Sequence, residues 1–141
     1  MAYITQAELV TRFGEEEIRQ LTGNGGGIDA AVVAAAIADT DALMDGYLMA
    51  RYRLPFAETP PLLLPVAANI ARHFLYADQS VKPVEERYQD ALKTLDKISR
   101  GSITLPGETP GSTNTVNDRV VSVHEREGIF GQNVLDRAFR R

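Results

Sequence analysis

Between Asp29 and Phe56 the apolar residues return at steps of three and four. Val33, Ile37, Thr40, Met44 and Tyr47 fall on one stripe, and Leu43 and Leu48 widen it. That period marks a helix with one face turned to a core. Asp29 stands at the N-cap position, after an Asn24-Gly25-Gly26-Gly27 loop. Arg51 and Arg53 come near the other end, where positive charge suits the helix dipole. Pro55 then biases Leu54 away from helix. The pattern predicts one long central helix over residues 29–53, against which the rest packs.

The flanking patterns are also helical. Thr5-Gln6-Ala7-Glu8 has the spacing of a capping box, with Ile4 and Leu9 placed as a staple. A short helix over 6–13 follows, ended by Gly14, and a second over 15–22, closed by Gly23. After the long helix, Pro55, Pro60 and Pro61 make a stiff connector. Leu62, Val66, Ile70, Ala71, Phe74 and Leu75 then define a helix over 61–77, with Pro65 tolerable in its first turn. Val84, Tyr88, Ala91, Leu92, Leu95 and Ile98 define a last helix over 82–100. Ser102-Ile103-Thr104-Leu105 alternates polar and apolar and reads as a short strand.

From Pro106 the character changes. Residues 106–118, PGETPGSTNTVND, contain one large apolar residue, Val116, and bury too little surface to offset the entropy of ordering. The expectation is an all-α body over 1–105 and a flexible C-terminal arm over 106–141. Within the arm, Arg119–His124 reads as a strand that adds to something. Ile129–Phe139 reads as a docking segment too short to fold alone.

Composition narrows the chemistry. The chain has 141 residues and no cysteine, so thiolate metal sites and thiol nucleophiles are excluded. A net charge of −4 argues against nucleic acid as the partner of the whole surface. Glu8 and Arg12 interrupt the place where a signal peptide needs an apolar core. No apolar run reaches the length of a membrane span, and the expectation is synthesis in the cytoplasm.

No catalytic, cofactor or metal set emerges. Asp39, Asp41, Asp45 and Gly46 echo a calcium loop, but Leu43 occupies a ligand position and no Glu closes the loop. Asp41 and Asp45 read instead as a solvated helix face. Gly23–Gly27 lacks the Gly-Lys-Ser/Thr of a phosphate cradle. His73 has Ala77 at i+4 rather than an acid, and His124 stands apart in the arm.

Three features suggest contact between subunits. Tyr47, Arg51, Tyr52 and Arg53 cluster at the end of the long helix, where Arg51 is placed to lie over the Tyr47 ring at i+4. Packing under the next helix accounts for them; so does a subunit contact, where Tyr and Arg are favoured. Ala30, Ala31, Ala34, Ala35 and Ala38 give the same helix a smooth side that suits close approach, by a helix of this chain or of an identical neighbour. In the arm, Phe130, Val134, Leu135 and Phe139, with Arg137, Arg140 and Arg141, supply apolar and basic docking groups.

Asp45-Gly46-Tyr47-Leu48, then Arg51-Tyr52-Arg53-Leu54-Pro55, together with the opening MAYITQAELVTRFGEEEI and Ile70-Ala71-Arg72 followed by Leu75-Tyr76, resembles the gp36-type proteins of Mu-like phages and prophages. The likeness runs over roughly residues 1–105. By its helical plan the family is similar to the head–tail connector adaptors of tailed phages. The resemblance implies a structural virion protein, not an enzyme, that acts as a homo-oligomeric ring below the portal. Its implied partners are itself, the portal and tail-side connector proteins, with no cofactor, no membrane and no specific nucleic acid. The implied location is the host cytoplasm during assembly and then the head–tail junction. The alternative is a small helical nucleic-acid-binding or host-directed regulatory protein of a prophage.

Overall fold

The computed structural model describes residues 2–23 and 25–106. Five α-helices follow in order: α1 (Gln6–Phe13), α2 (Glu15–Thr22), α3 (Ala30–Leu48), α4 (Leu63–Tyr76) and α5 (Lys82–Ser99). A single 3₁₀ turn, Ala77–Gln79, follows α4. The all-α class and the order of helices stand as the pattern predicts.

Local chemistry sets the starts. The Thr5 hydroxyl accepts from the Glu8 N–H, and the Glu8 carboxylate accepts from the Thr5 N–H at 2.8 Å. Two otherwise orphaned backbone donors are thus satisfied reciprocally. Ile4 and Leu9 both reach the core beneath this box. Asp29 caps α3 by accepting from the N–H groups of Ala31 and Val32. Thr22 ties the end of α2 to the start of α3: its hydroxyl donates to the Ile18 carbonyl and accepts from the Asp29 N–H. Gly23 permits the loop between them, since a side chain there runs into the carbonyls of Gly27 and Arg19.

Helices α3, α4 and α5 pack on one another, and the α1–α2 hairpin lies against α3 and α4. The deepest element is α4, whose Leu63, Val66, Ala67, Ala68, Ile70, Ala71 and Leu75 are all buried. Its three buried alanines keep side chains short where neighbouring helices approach. In α3 the buried residues are Val33, Ala36, Thr40, Met44 and Leu48, with Ile37, Leu43 and Tyr47 half-buried beside them. Thr40 is tolerated in the core because its hydroxyl donates to the Ala36 carbonyl at 2.7 Å.

Two expectations change. The long helix ends at Leu48, not at residue 53. Arg51 and Tyr52 both donate their N–H groups to the Leu48 carbonyl, at 3.1 and 2.8 Å, and wind the chain into a turn. That turn drives Tyr52 inward: it is 4% exposed and meets Phe56 edge to face at 6.0 Å.

Ser102–Leu105 is not a strand, and no strand occurs among the described residues. It caps α5 instead. Gly101 donates to the Ile98 carbonyl and Ser102 to the Lys97 carbonyl, with Gly101 at φ +82°. These are the two bonds of a Schellman termination, which satisfies the orphan carbonyls of the last turn. Leu105 then drops into the core, and its N–H donates to the Tyr52 hydroxyl at 3.0 Å. The strand read at Arg119–His124 and the docking segment at Ile129–Phe139 lie outside the described residues.

Candidate interaction surfaces

The Tyr-Arg cluster at the end of α3 is divided by the turn. Tyr52 belongs to the chain's own core and is not presented to a neighbour. The Arg51 guanidinium lies over Gly101, not over the Tyr47 ring, and fills the space that a Cβ at 101 would need. Its Nε is buried without a hydrogen-bond partner among the described residues. Tyr47 is half-buried and helps line a shallow cleft with Leu92 and Lys93 of α5. Arg53 is exposed. Phe130, Val134, Leu135, Arg137, Phe139, Arg140 and Arg141 lie outside the described residues.

The alanine face of α3 is uncovered by the described residues. Ala30, Ala31, Ala34, Ala35 and Ala38 are all exposed, so no packing within the described residues uses them. Ala42 and Gly46 continue the face, Val32 is 40% exposed and Met49 68%. Positions 31, 35, 38, 42, 46 and 49 recur at steps of four and three along one side of the helix.

Along one edge of this face α3 holds the N-terminal segment. Tyr3 donates its N–H to Asp41 at 3.0 Å and its hydroxyl to Asp45. These carboxylates are half-buried anchors rather than the solvated face the spacing suggested. Burial, chiefly, raises the Asp41 carboxyl above the usual carboxylate range. Burial also raises the Tyr3 phenol well above its ordinary value, and the hydrogen bond and charge of Asp45 raise it further.

Two polar clusters absent from the local pattern join the helices. Glu17 of α2 accepts from Arg72 Nε and Nη2 of α4, at 3.0 and 2.6 Å, and from the Tyr76 hydroxyl at 2.6 Å. The guanidinium also lies 4.5 Å from the centre of the Phe13 ring. The Glu17 hydrogen bond raises the Tyr76 phenol. His73 finds its acid on another helix: Nε2 lies 2.7 Å from Glu85 of α5, and the ring stacks on Tyr88 at 3.8 Å and 5°. Bonds from Gln89 and then His73 lower the Glu85 carboxyl. These clusters fasten α2 and α5 to α4.

A third site was also invisible in the local pattern. A cleft of about 540 Å³ opens where α1, the start of α4 and α5 converge. Phe13, Leu62, Val66 and Ala91 supply apolar walls, and Arg12 and Arg87 stand at it, exposed. Neither arginine makes an ion pair with an acid among the described residues. Its parts come from three distant segments, and no spacing along the chain brings them together.

Among the described residues, no three His, Asp or Glu groups converge to hold a metal, and no helix is long and apolar enough to cross a membrane.

Comparison with known proteins gives the chain its relatives. A Mu-like prophage FluMu protein gp36 of Haemophilus influenzae is 25% identical over 133 residues, covering 93% of this chain and 94% of that protein. Gene product J of Escherichia phage Mu is 29% identical over 136 residues, covering 94% and 96%. Residues 3–123 match the family described as Bacteriophage Mu, Gp36. With most of its length matched, and relatives aligned nearly end to end, the chain belongs to the bacteriophage Mu Gp36 family.

Proposed function

We propose that this phage protein is a structural subunit of virion morphogenesis, a head–tail connector that works by forming a ring with copies of itself below the portal. The observation that carries the reading is the uncovered face of α3. A helix of 19 residues, about 28 Å long at ~1.5 Å per residue, carries a run of small and apolar side chains that no described residue covers. A solitary protein gains nothing from such a face, whereas close helix packing between subunits gains short interaxial distance and burial. The C-terminal docking groups, Phe130 to Arg141, serve the same role toward a neighbour, the portal or a tail-side connector protein. Nothing in this role calls for catalysis, a cofactor or specific contact with nucleic acid.

The test is the mass of the purified protein by light scattering, first alone and then with the portal protein encoded nearby. A ring-sized particle in either sample is the expected result. A monomer that ignores the portal overturns the proposal.

A further inference from the structure

We propose that the cleft between α1, α4 and α5 is the receptor for the C-terminal docking segment, residues 129–139, of a neighbouring copy. The inference rests on the self-associating role proposed above and specifies where one subunit holds the next.

The cleft calls for an occupant of particular chemistry. Its lining mixes apolar Phe13, Leu62, Val66 and Ala91 with polar Asn69 and Thr94, and Leu62 is 37% exposed. Water left on the apolar part is a cost that an apolar partner removes. Arg12 and Arg87 then supply two cations without acidic partners among the described residues, and Asp90 adds one anion. Unpaired arginines beside an apolar floor favour a segment with large apolar side chains and an acid among them. They stand out on a body that is otherwise acidic: residues up to 106 carry ten basic and fourteen acidic side chains.

The chain itself contains such a segment beyond the described residues. Phe130, Val134, Leu135, Ala138 and Phe139 recur at i, i+4, i+5, i+8 and i+9, with Asp136 and Arg137 between them. That spacing matches a segment laid into a groove by one apolar face. Asp136 complements Arg12 and Arg87, and Arg137 complements Asp90. The tether reaches. Residues 107–128 separate the segment from Pro106, and at ~3.3–3.6 Å per residue these 22 residues extend to roughly 75 Å, well over twice the length of α3. A contact between copies is therefore within range.

The test uses full-length chains and reads self-association by sedimentation, with the portal present if the wild type needs it. Arg12→Glu/Arg87→Glu weakens association by about ten-fold or more, while Lys82→Glu/Lys97→Glu, an equal charge change on exposed α5 positions outside the cleft, leaves it near wild type. Asp136→Arg, which alters no described residue, produces the same loss alone. Combined with the arginine reversals it restores association. Because the chain has no cysteine, Leu62→Cys on one copy and Leu135→Cys on another also yield an intermolecular disulfide on oxidation.

Three results overturn the proposal. Wild-type association that is indifferent to both the arginine reversals and Asp136→Arg removes the cleft from the interface and leaves the connector role standing. In a chain that carries both Leu62→Cys and Leu135→Cys, closure of the disulfide within single monomers places the segment on its own body. Failure of the wild type to associate at all, alone or with the portal, removes the connector role and this interface with it.

Discussion

At the scale of single residues, most polar side chains here act as fasteners between elements, and Tyr3 shows how that links stability to pH. It is 2% exposed, and it joins the N-terminal segment to Asp41 and Asp45 of α3. The folded chain holds the phenol proton above the ordinary value of 10, because burial first and Asp45 second disfavour a phenolate. In the unfolded chain the phenol loses its proton near 10. Above that pH the folded state binds more protons than the unfolded one, so stability falls as pH rises. Tyr76 and Tyr88 are raised as well and act in the same direction. Tyr3→Phe removes one of these groups. The expected result is a variant less stable than wild type at pH 7, by about 1 kcal/mol for the lost hydrogen bond. Its melting temperature declines less steeply between pH 9.5 and 11, measured by circular dichroism at each pH. Parallel declines for variant and wild type would show that Tyr3 does not keep its proton in the folded state.

At the scale of elements, what decides each boundary is where its backbone groups find partners. Gly101 ends α5 by taking φ +82° and lying under the Arg51 guanidinium. Gly101→Ala therefore meets two penalties, a strained left-handed backbone and a collision. The expected loss is about 1–3 kcal/mol in urea unfolding. Arg51→Ala in the same chain recovers the steric part and leaves the backbone part. If the double variant is no more stable than Gly101→Ala alone, the guanidinium is not what crowds the site.

The same residues explain what was legible. The Thr5–Glu8 box, the Asp29 cap and the α3 stripe are local, and the sequence states them directly. The end of α3 is not local, since Tyr52 turns inward to meet Leu105, 53 positions away. Ser-Ile-Thr-Leu alternates like a strand, but the N–H groups of Ser102 and Ile103 cap α5, that of Leu105 bonds Tyr52, and no partner strand stands beside it among the described residues. For the interaction surfaces, the alanines were readable as a smooth face but not as an uncovered one, because burial depends on which helix comes to pack there. The Arg12–Arg87 cleft needed three helices in place before it existed at all.

At the scale of the whole molecule, the described core closes at Leu105. This residue is 1% exposed, it packs with the helices, and its N–H gives Tyr52 its hydrogen bond. Two truncations separate what completes the body from what lies beyond it. A chain ending at Pro106 keeps every buried residue of the described core, and its stability should stay within about 0.5 kcal/mol of full length, as for changes outside the core. A chain ending at Gly101 loses Leu105 and leaves the Tyr52 hydroxyl buried without its donor. The expected cost is roughly 2–4 kcal/mol, the sum of one buried leucine and one hydrogen bond. In a body of about 100 residues this lowers the melting temperature by on the order of 10 °C or more. Scanning calorimetry of the two chains and the full-length protein makes the comparison. Equal melting of both truncations would mean that Leu105 does not close the core. Marked loss in the Pro106 chain would mean that residues 107–141 also support the fold. If instead the Pro106 chain melts like the parent yet no longer associates, stability and assembly reside in separate parts of the sequence. The segment beyond 106 is then kept for what it binds, while the helices are kept for what they bury.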